Sequence, residues 1–316
     1  MAQITLTQLD GFYVGHAEDH QACTGCTAIL TPQGAVASYH QPGFAPGSRE
    51  TDLLRPDSMA PVIHGLLLTG GSAFGLAAAA GVVKFLRERG CGYDTGLLRV
   101  PLVPAAVIFD YPGNKSEGAL PDEAMGYRAA AAADQRPVGN GPFGAGLSAA
   151  CGKMAGPDRS SPSGIGSYGL TVDDGLMVAA LAVVNPLGGV LDLDTGAVIS
   201  GPRLEDGRLA DKKGILEILR SRTRMNETEP GHTVLAAVGT NARLDKLGAH
   251  RLARMASAGL ARAIYPAHLM HDGDTVFALS SNTGPEVDLS WLGALAAEVL
   301  SRAVVNSTPG FWTVND

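Results

Sequence analysis

From residue 233 onward the sequence alternates between strand-like and helix-like stretches. Gly231-His232-Thr233-Val234-Leu235-Ala236-Ala237-Val238-Gly239 enters an apolar strand at a hydroxyl residue. His271-Asp272-Gly273-Asp274-Thr275-Val276-Phe277-Ala278-Leu279 enters a second one behind two carboxylates. Between them, 242–264 reads as a helix. Leu244, Leu247, Met255 and Leu260 form its apolar face, Arg243, Lys246, Arg251, Arg254 and Arg262 surround them, and Pro266 ends it. A last helix spans 289–304. Strand, helix, strand, helix predicts an α/β fold.

The upstream part supports that class. Short apolar runs at 26–30, 35–39, 63–68 and 102–108 read as strands, and 75–88 (stopped by Gly90) and 122–134 as helices. The stretch 139–169 holds too much Gly, Ser and Pro for one element. Apolar runs follow at 176–184, ending at Asn185-Pro186, and at 191–199, then a short helix at 215–220. With 41 Gly, abundant Ala and 5% aromatic residues, the layers must turn tightly and pack closely. No linker or internal repeat is visible, so a single domain over 1–316 is expected, with 222–231 its most exposed and cleavable loop.

A net charge of -7 without blocks of like charge argues against a nucleic-acid partner, since phosphate binding needs a basic footprint. The uncharged run 65–83 is long enough to cross a bilayer, but Thr69-Gly70-Gly71-Ser72 at its centre reads as a turn between strand and helix. No membrane association is expected. Met1-Ala2-Gln3-Ile4-Thr5 lacks the segments of a signal peptide, so a cytoplasmic protein with reduced Cys23, Cys26, Cys91 and Cys151 is expected. His16, His20, Cys23 and Cys26 have spacings that a metal site could use. Thr24-Gly25 leading into Ala28-Ile29-Leu30 reads instead as a loop entering a strand, and no metal or cofactor is expected.

Several residues bear chemistry. Gly70-Gly71-Ser72-Ala73-Phe74-Gly75 lacks the glycine spacing of a dinucleotide turn, although Asp94 stands at a suitable distance. It is neither a phosphate loop nor a Gly-x-Ser-x-Gly elbow. It is either a close-packed turn or a set of N–H groups lining a cleft. Thr233 is a weak nucleophile without a base, and its own α-amino group, freed by chain cleavage, would be one. Asn185 can initiate the turn before Pro186 or donate to an oxyanion. Lys153 is either a surface lysine or a cation of the site. Asp272 and Asp274 are either a solvated turn or the partners of a freed amine.

Ordered motifs then carry a resemblance. They are Val14-Gly15-His16, Thr24-Gly25-Cys26-Thr27, Pro46-Gly47-Ser48-Arg49-Glu50-Thr51-Asp52-Leu53-Leu54, Gly70 to Leu76, Val103 to Asp110, Ala124-Met125-Gly126-Tyr127, Gly259-Leu260-Ala261-Arg262 and the two strand entries above. The chain resembles the self-processing aminopeptidase family of the L-aminopeptidase/D-esterase DmpA, the β-peptidyl aminopeptidases and the nylon-oligomer hydrolases. The resemblance implies a four-layer αββα sandwich with an N-terminal-nucleophile (Ntn) site. It implies cleavage into 1–232 and 233–316, pieces that stay associated, and a homotetramer.

By the same resemblance, Thr233 is the nucleophile, Asn185 an oxyanion donor, and Lys153, Asp272 and Asp274 organise the site. Tyr111 is the nearest match to a tyrosine used by some members. The spacing of Thr233 and Asp272-Gly273-Asp274 suits the nylon-hydrolase branch. That branch carries Asn before the nucleophile and others carry Gly, whereas His232 stands there here, which leaves the efficiency of processing open. Implied substrates are short peptides, β-peptides or 6-aminohexanoate oligomers. The alternatives are acyl transfer of the ornithine acetyltransferase type, whose Ala-Thr-Met-Leu context is missing, and an unprocessed relative acting as a binding protein.

Overall fold

The computed structural model describes residues 1–110, 120–172, 175–222 and 231–313. Ten strands are linked by hydrogen bonds: β1 (Ala2–Ile4), β2 (Tyr13–Asp19), β3 (Thr24–His40), β4 (Ser48–Arg49), β5 (Ile63–Thr69), β6 (Ala105–Val107), β7 (Ile165–Thr171), β8 (Met177–Asn185), β9 (Thr233–Thr240) and β10 (Thr275–Ser280). Their order is β1-β7-β8-β9-β10-β3-β5-β6-β4, with β2 also on β3. The long β3 belongs to two sheets. Its residues 36–40 pair with β10, whereas 24–30 pair with β2, and 26–30 and Ala35 with β5. A register shift between Leu30 and Ala35 marks where the strand passes from one sheet to the other.

Side-chain alternation along the strands then sorts the core. In the first sheet Val178, Ala180, Val234, Ala236, Val276 and Ala278 face α4 (Lys246–Ala256), α5 (Ala258–Ala263) and α6 (Leu289–Asn306). The residues between them, among them Ala179, Leu181, Leu235, Ala237 and Phe277, face Ile29, Leu66, Leu68 and Ile108 of the second sheet. The far side of that sheet, with Ala28, Leu30, Leu67 and Ala105, packs on α1 (Ala79–Glu88) and α2 (Glu123–Ala131). The result is the four-layer αββα sandwich. A helix at Lys212–Arg222 packs through Ile215 with Met154, Leu187 and Ala210.

Within one outer layer, α1 and α2 approach to backbone contact. A Cβ added at Gly126 would lie 1.9 Å from Ala78 O, and one at Gly81 would lie 1.9 Å from Glu123 O.

Several elements differ from expectation. The strands expected at 26–30 and 35–39 are one, because Pro32-Gln33-Gly34 is a shift within β3 and not its end. The run 102–108 keeps only β6; Pro101 and Pro104 beside it have no N–H to give a ladder. The Gly-rich 139–169 contains the start of β7. The run 191–199 is a hairpin, Gly189–Leu191 and Val198–Ser200, turned by Asp192 Oδ1 accepting from Thr195 N at 2.8 Å.

The helix expected at 242–264 starts at Lys246 under an Asp245 cap and divides at Ser257. Leu247 is 43% exposed, and Gly248, Ala249, Leu252, Ala253 and Ala256 form the buried face. The run 65–83 is strand, turn and helix, and among the described residues no helix is long and apolar enough to cross a membrane.

Candidate active site

Asn185 ends β8 directly opposite Thr233, which begins β9. On the other side of Thr233 runs the approach to β10, parallel to β9. His232 pairs with Asp272 and Leu235 with Thr275, in the same register. The pairing is altered between those points. An uninterrupted parallel ladder would send the Val234 N–H to Gly273 O. It donates instead to Asp274 Oδ1 at 2.8 Å, and Gly273 O accepts from the Thr275 hydroxyl at 3.0 Å. A carboxylate therefore enters the sheet beside the residue that follows Thr233. Its other oxygen meets His268 Nδ1 at 2.8 Å. The segment after β3 holds this carboxylate loop in place, with Gly43 N donating to Asp274 O at 3.2 Å and Ala45 N to Asp272 O at 2.9 Å.

Asp272 is buried, and its Oδ2 accepts from Leu269 N at 2.6 Å. Among the described residues its Oδ1 has no hydrogen-bond partner. Burial, reinforced by the charge of Asp274, pushes its pKa up to about 7, against the opposing pull of His268 and Lys153. Lys153 follows Gly152, whose left-handed backbone (φ 79°) abuts Pro202 so closely that a Cβ would lie 1.9 Å from its nitrogen. Lys153 Nζ donates to Asn185 O at 3.2 Å and to Asn185 Oδ1 at 2.5 Å. Burial lowers its pKa to about 7, opposed by Cys151, Asp110 and Asp272.

The Asn185 amide is oriented at both ends. Its Oδ1 also accepts from Ala150 N at 3.2 Å, and its Nδ2 donates to Phe109 O at 3.1 Å. An amide NH2 has two hydrogens, so one more acceptor can be served. Asp110, next to Phe109, is buried and accepts from Gly71 N and from the Thr24 hydroxyl, each at 2.7 Å. Burial raises its pKa. A Cβ at Gly70 would lie 2.1 Å from Asp110 Oδ2, so the Gly70-Gly71 turn is closed around this carboxylate.

Thr233, Asn185, Lys153, His232, Asp272 and Asp274 thus meet at one end of the first sheet, while Tyr111 lies outside the described residues. Four surface cavities of 310 to 650 Å³ share no lining residue with this cluster. Of the suggested metal ligands, His16 Nδ1 pairs with the Thr27 hydroxyl at 3.0 Å and Cys26 Sγ with the Thr69 hydroxyl at 3.2 Å. Sequence reasoning missed His268 and Asp110 as site residues. Asp110 ended a quoted motif, but its pairing with the glycine turn spans the two loops. His268 had no strand entry or spacing to mark it.

The raised Asp272 pKa has a stability signature. Between its ordinary value of 3.8 and about 7, the folded chain keeps a proton that the unfolded chain releases. This group's contribution to stability therefore falls as pH rises through that window and levels off above it. Asp272→Asn is expected to flatten that slope and to be more stable than the parent at pH 8 by about 1–2 kcal/mol. Urea unfolding at pH 5 and pH 8, with Thr233→Ala in both chains so that the surroundings of Asp272 stay as in the intact chain, measures both; equal slopes for the two chains would refute the assignment.

Residues 5–309 match the model of peptidase family S58. An uncharacterised aminopeptidase of Mycobacterium tuberculosis (strain ATCC 25618 / H37Rv) is 37% identical, over 95% of this chain and 92% of its own. A 6-aminohexanoate-oligomer endohydrolase of Kocuria sp. (strain KY2) is 31% identical, over 94% of this chain and 84% of its own. Among solved structures, the L-aminopeptidase D-Ala-esterase/amidase of Ochrobactrum anthropi, a variant of the Ntn hydrolase fold, superposes with a TM-score of 0.70 at 19% identity. It covers 96% of this chain and 85% of its own. A Burkholderia sp. β-aminopeptidase covers the same shares at a TM-score of 0.68 and 21% identity. With its sandwich fold and with this likeness extending over nearly all of its length, the chain belongs to peptidase family S58 and is an amide hydrolase.

Proposed function

We propose that Thr233 is the nucleophile of a self-processing N-terminal-threonine hydrolase. The chain breaks between His232 and Thr233 into 1–232 and 233–316, and the freed α-amine becomes the base for the hydroxyl beside it. The observation that carries this reading is the altered β9–β10 ladder at Thr233, where Asp274 replaces a backbone acceptor and a buried Asp272 oxygen has no donor among the described residues. The freed α-amino group can donate an N–H to that oxygen while its lone pair takes the hydroxyl proton.

In turnover, Thr233 Oγ attacks the substrate carbonyl and the α-amine carries the proton to the leaving amine. The second hydrogen of Asn185 Nδ2 stabilises the oxyanion, and water releases the acyl group. Lys153 fixes the Asn185 amide. Asp274, held by His268, fixes the backbone after Thr233. Paired carboxylates beside the nucleophile favour substrates with a free amine. Short peptides, β-peptides and 6-aminohexanoate oligomers fit that description, and relatives named aminopeptidase and 6-aminohexanoate-oligomer endohydrolase support it. One domain of two associated pieces, assembled as a cytoplasmic homotetramer, completes the proposal.

Denaturing electrophoresis of purified protein is expected to give two bands of roughly 24 and 9 kDa, by scaling chain mass with length. Terminal sequencing of the smaller should begin at Thr233. A single full-length band that nevertheless hydrolyses p-nitroanilides of α- and β-amino acids would remove self-processing from the mechanism.

A further inference from the structure

In the intact chain, the carbonyl that self-cleavage must attack is already engaged. His232 is 3% exposed, and its backbone oxygen accepts from Gly273 N at 2.7 Å. Its own N–H donates to His271 O at 3.2 Å, so the parallel neighbour holds the residue through both backbone groups. Gly273 also faces the hydroxyl. A Cβ there would lie 2.7 Å from Thr233 Oγ1 and 2.7 Å from Ala45 O, so a side chain would fill the space beside the nucleophile. One residue therefore borders both reacting oxygens, one through its N–H and the other across the gap left by its missing side chain.

From this juxtaposition we infer that the Gly273 N–H is the oxyanion donor for cleavage of the His232–Thr233 bond, a role separate from that of Asn185 in substrate hydrolysis. The inference rests on Thr233 being the self-cleaving nucleophile. Thr233 Oγ bonds to the His232 carbonyl carbon, and the carbonyl electron pair moves onto the oxygen that faces Gly273 N. The carbon–nitrogen bond then breaks, and the Oγ proton ends on the Thr233 nitrogen. This leaves an ester between His232 and Thr233 Oγ together with a free α-amine. One water hydrolyses the ester, so that His232 leaves as a carboxylic acid and Thr233 regains its hydroxyl. A donor placed before the reaction binds the developing negative charge more strongly than the neutral carbonyl, and more so away from water.

The test replaces the Gly273 amide by an ester, by cell-free translation of the full chain with glycolic acid at position 273. This removes the N–H and adds no side chain. Self-cleavage is expected to slow by about 10²- to 10³-fold, the usual loss for one oxyanion donor. A parent-like cleavage rate in the folded ester chain overturns the inference. A second measurement does not depend on that chain folding. In uncleaved Thr233→Ala protein, nuclear magnetic resonance should detect a scalar coupling across the hydrogen bond from Gly273 ¹⁵N to the His232 carbonyl carbon, and its absence overturns the inference as well. The two levels fail differently. If Thr233→Ala is still cut after His232, the nucleophile assignment fails. If it stays whole while the ester chain cuts at the parent rate, only the role of Gly273 fails.

Discussion

Thr233→Ala is expected to remain a single full-length chain and to lose amide hydrolysis by about four to six orders of magnitude, as when an acyl-enzyme nucleophile is deleted. The loss should be this large because the hydroxyl of Thr275, at the start of the neighbouring strand, is already committed, donating to Gly273 O at 3.0 Å. The fold should survive. Removing one methyl and one hydroxyl from a buried strand start costs about 1–2 kcal/mol, and the neighbouring Val234 N–H keeps Asp274 as its acceptor. Thr233→Ser should retain cleavage and measurable turnover, since it keeps the attacking oxygen. Electrophoresis, circular dichroism and p-nitroanilide hydrolysis on the three chains separate the possibilities. A Thr233→Ala chain that is folded, whole and fully active would show that another residue does the chemistry.

Gly126→Val should have the largest effect on stability, more than about 4 kcal/mol, with the protein recovered mainly as aggregate. The reason is contact between backbones. The missing Cβ would stand 1.9 Å from Ala78 O, and Gly81 reproduces the situation from the other side, 1.9 Å from Glu123 O. No rotamer change relieves such an overlap. The helices α1 and α2 must separate, which opens the packing of Val82, Phe85, Met125 and Ala129 on the second sheet. Gly90→Ala is the control. Its φ of 67° makes substitution mildly strained, but nothing lies within 4 Å, so a cost of about 1 kcal/mol is expected. Urea midpoints for soluble material and the soluble fraction on expression check the comparison. Similar values for the two variants would contradict the packing described above.

What could be read in the sequence was local. The hydroxyl at one strand start and the two carboxylates before another were visible as patterns, and so was the alternation that builds the first sheet. Contacts that span the chain were not. Nothing near Asn185 announces that it faces Thr233, because that register is set by β8 lying beside β9. Apart from the family resemblance, the residues around Lys153 leave it either a surface lysine or a cation of the site, whereas the fold sets its ammonium on the Asn185 amide. The glycine turn at 70–71 had a shape without a purpose, which Asp110 supplies from the next loop. Large apolar side chains do not mark the buried face of α4, because close layers select Gly and Ala there and leave Leu247 outside.

The position of β9 and β10 bears on the lifetime of the molecule. Both strands belong to 233–316, yet their outer neighbours, β8 and β3, belong to 1–232. The same short piece supplies all three helices of one outer layer. If the chain is severed before Thr233 as proposed, neither piece keeps a complete sheet. Dissociation is then the same event as unfolding, and recovery becomes a second-order encounter that dilution defeats. Such a protein would mature once, and its working life would be set by the rate of its first complete unfolding, with no return at low concentration.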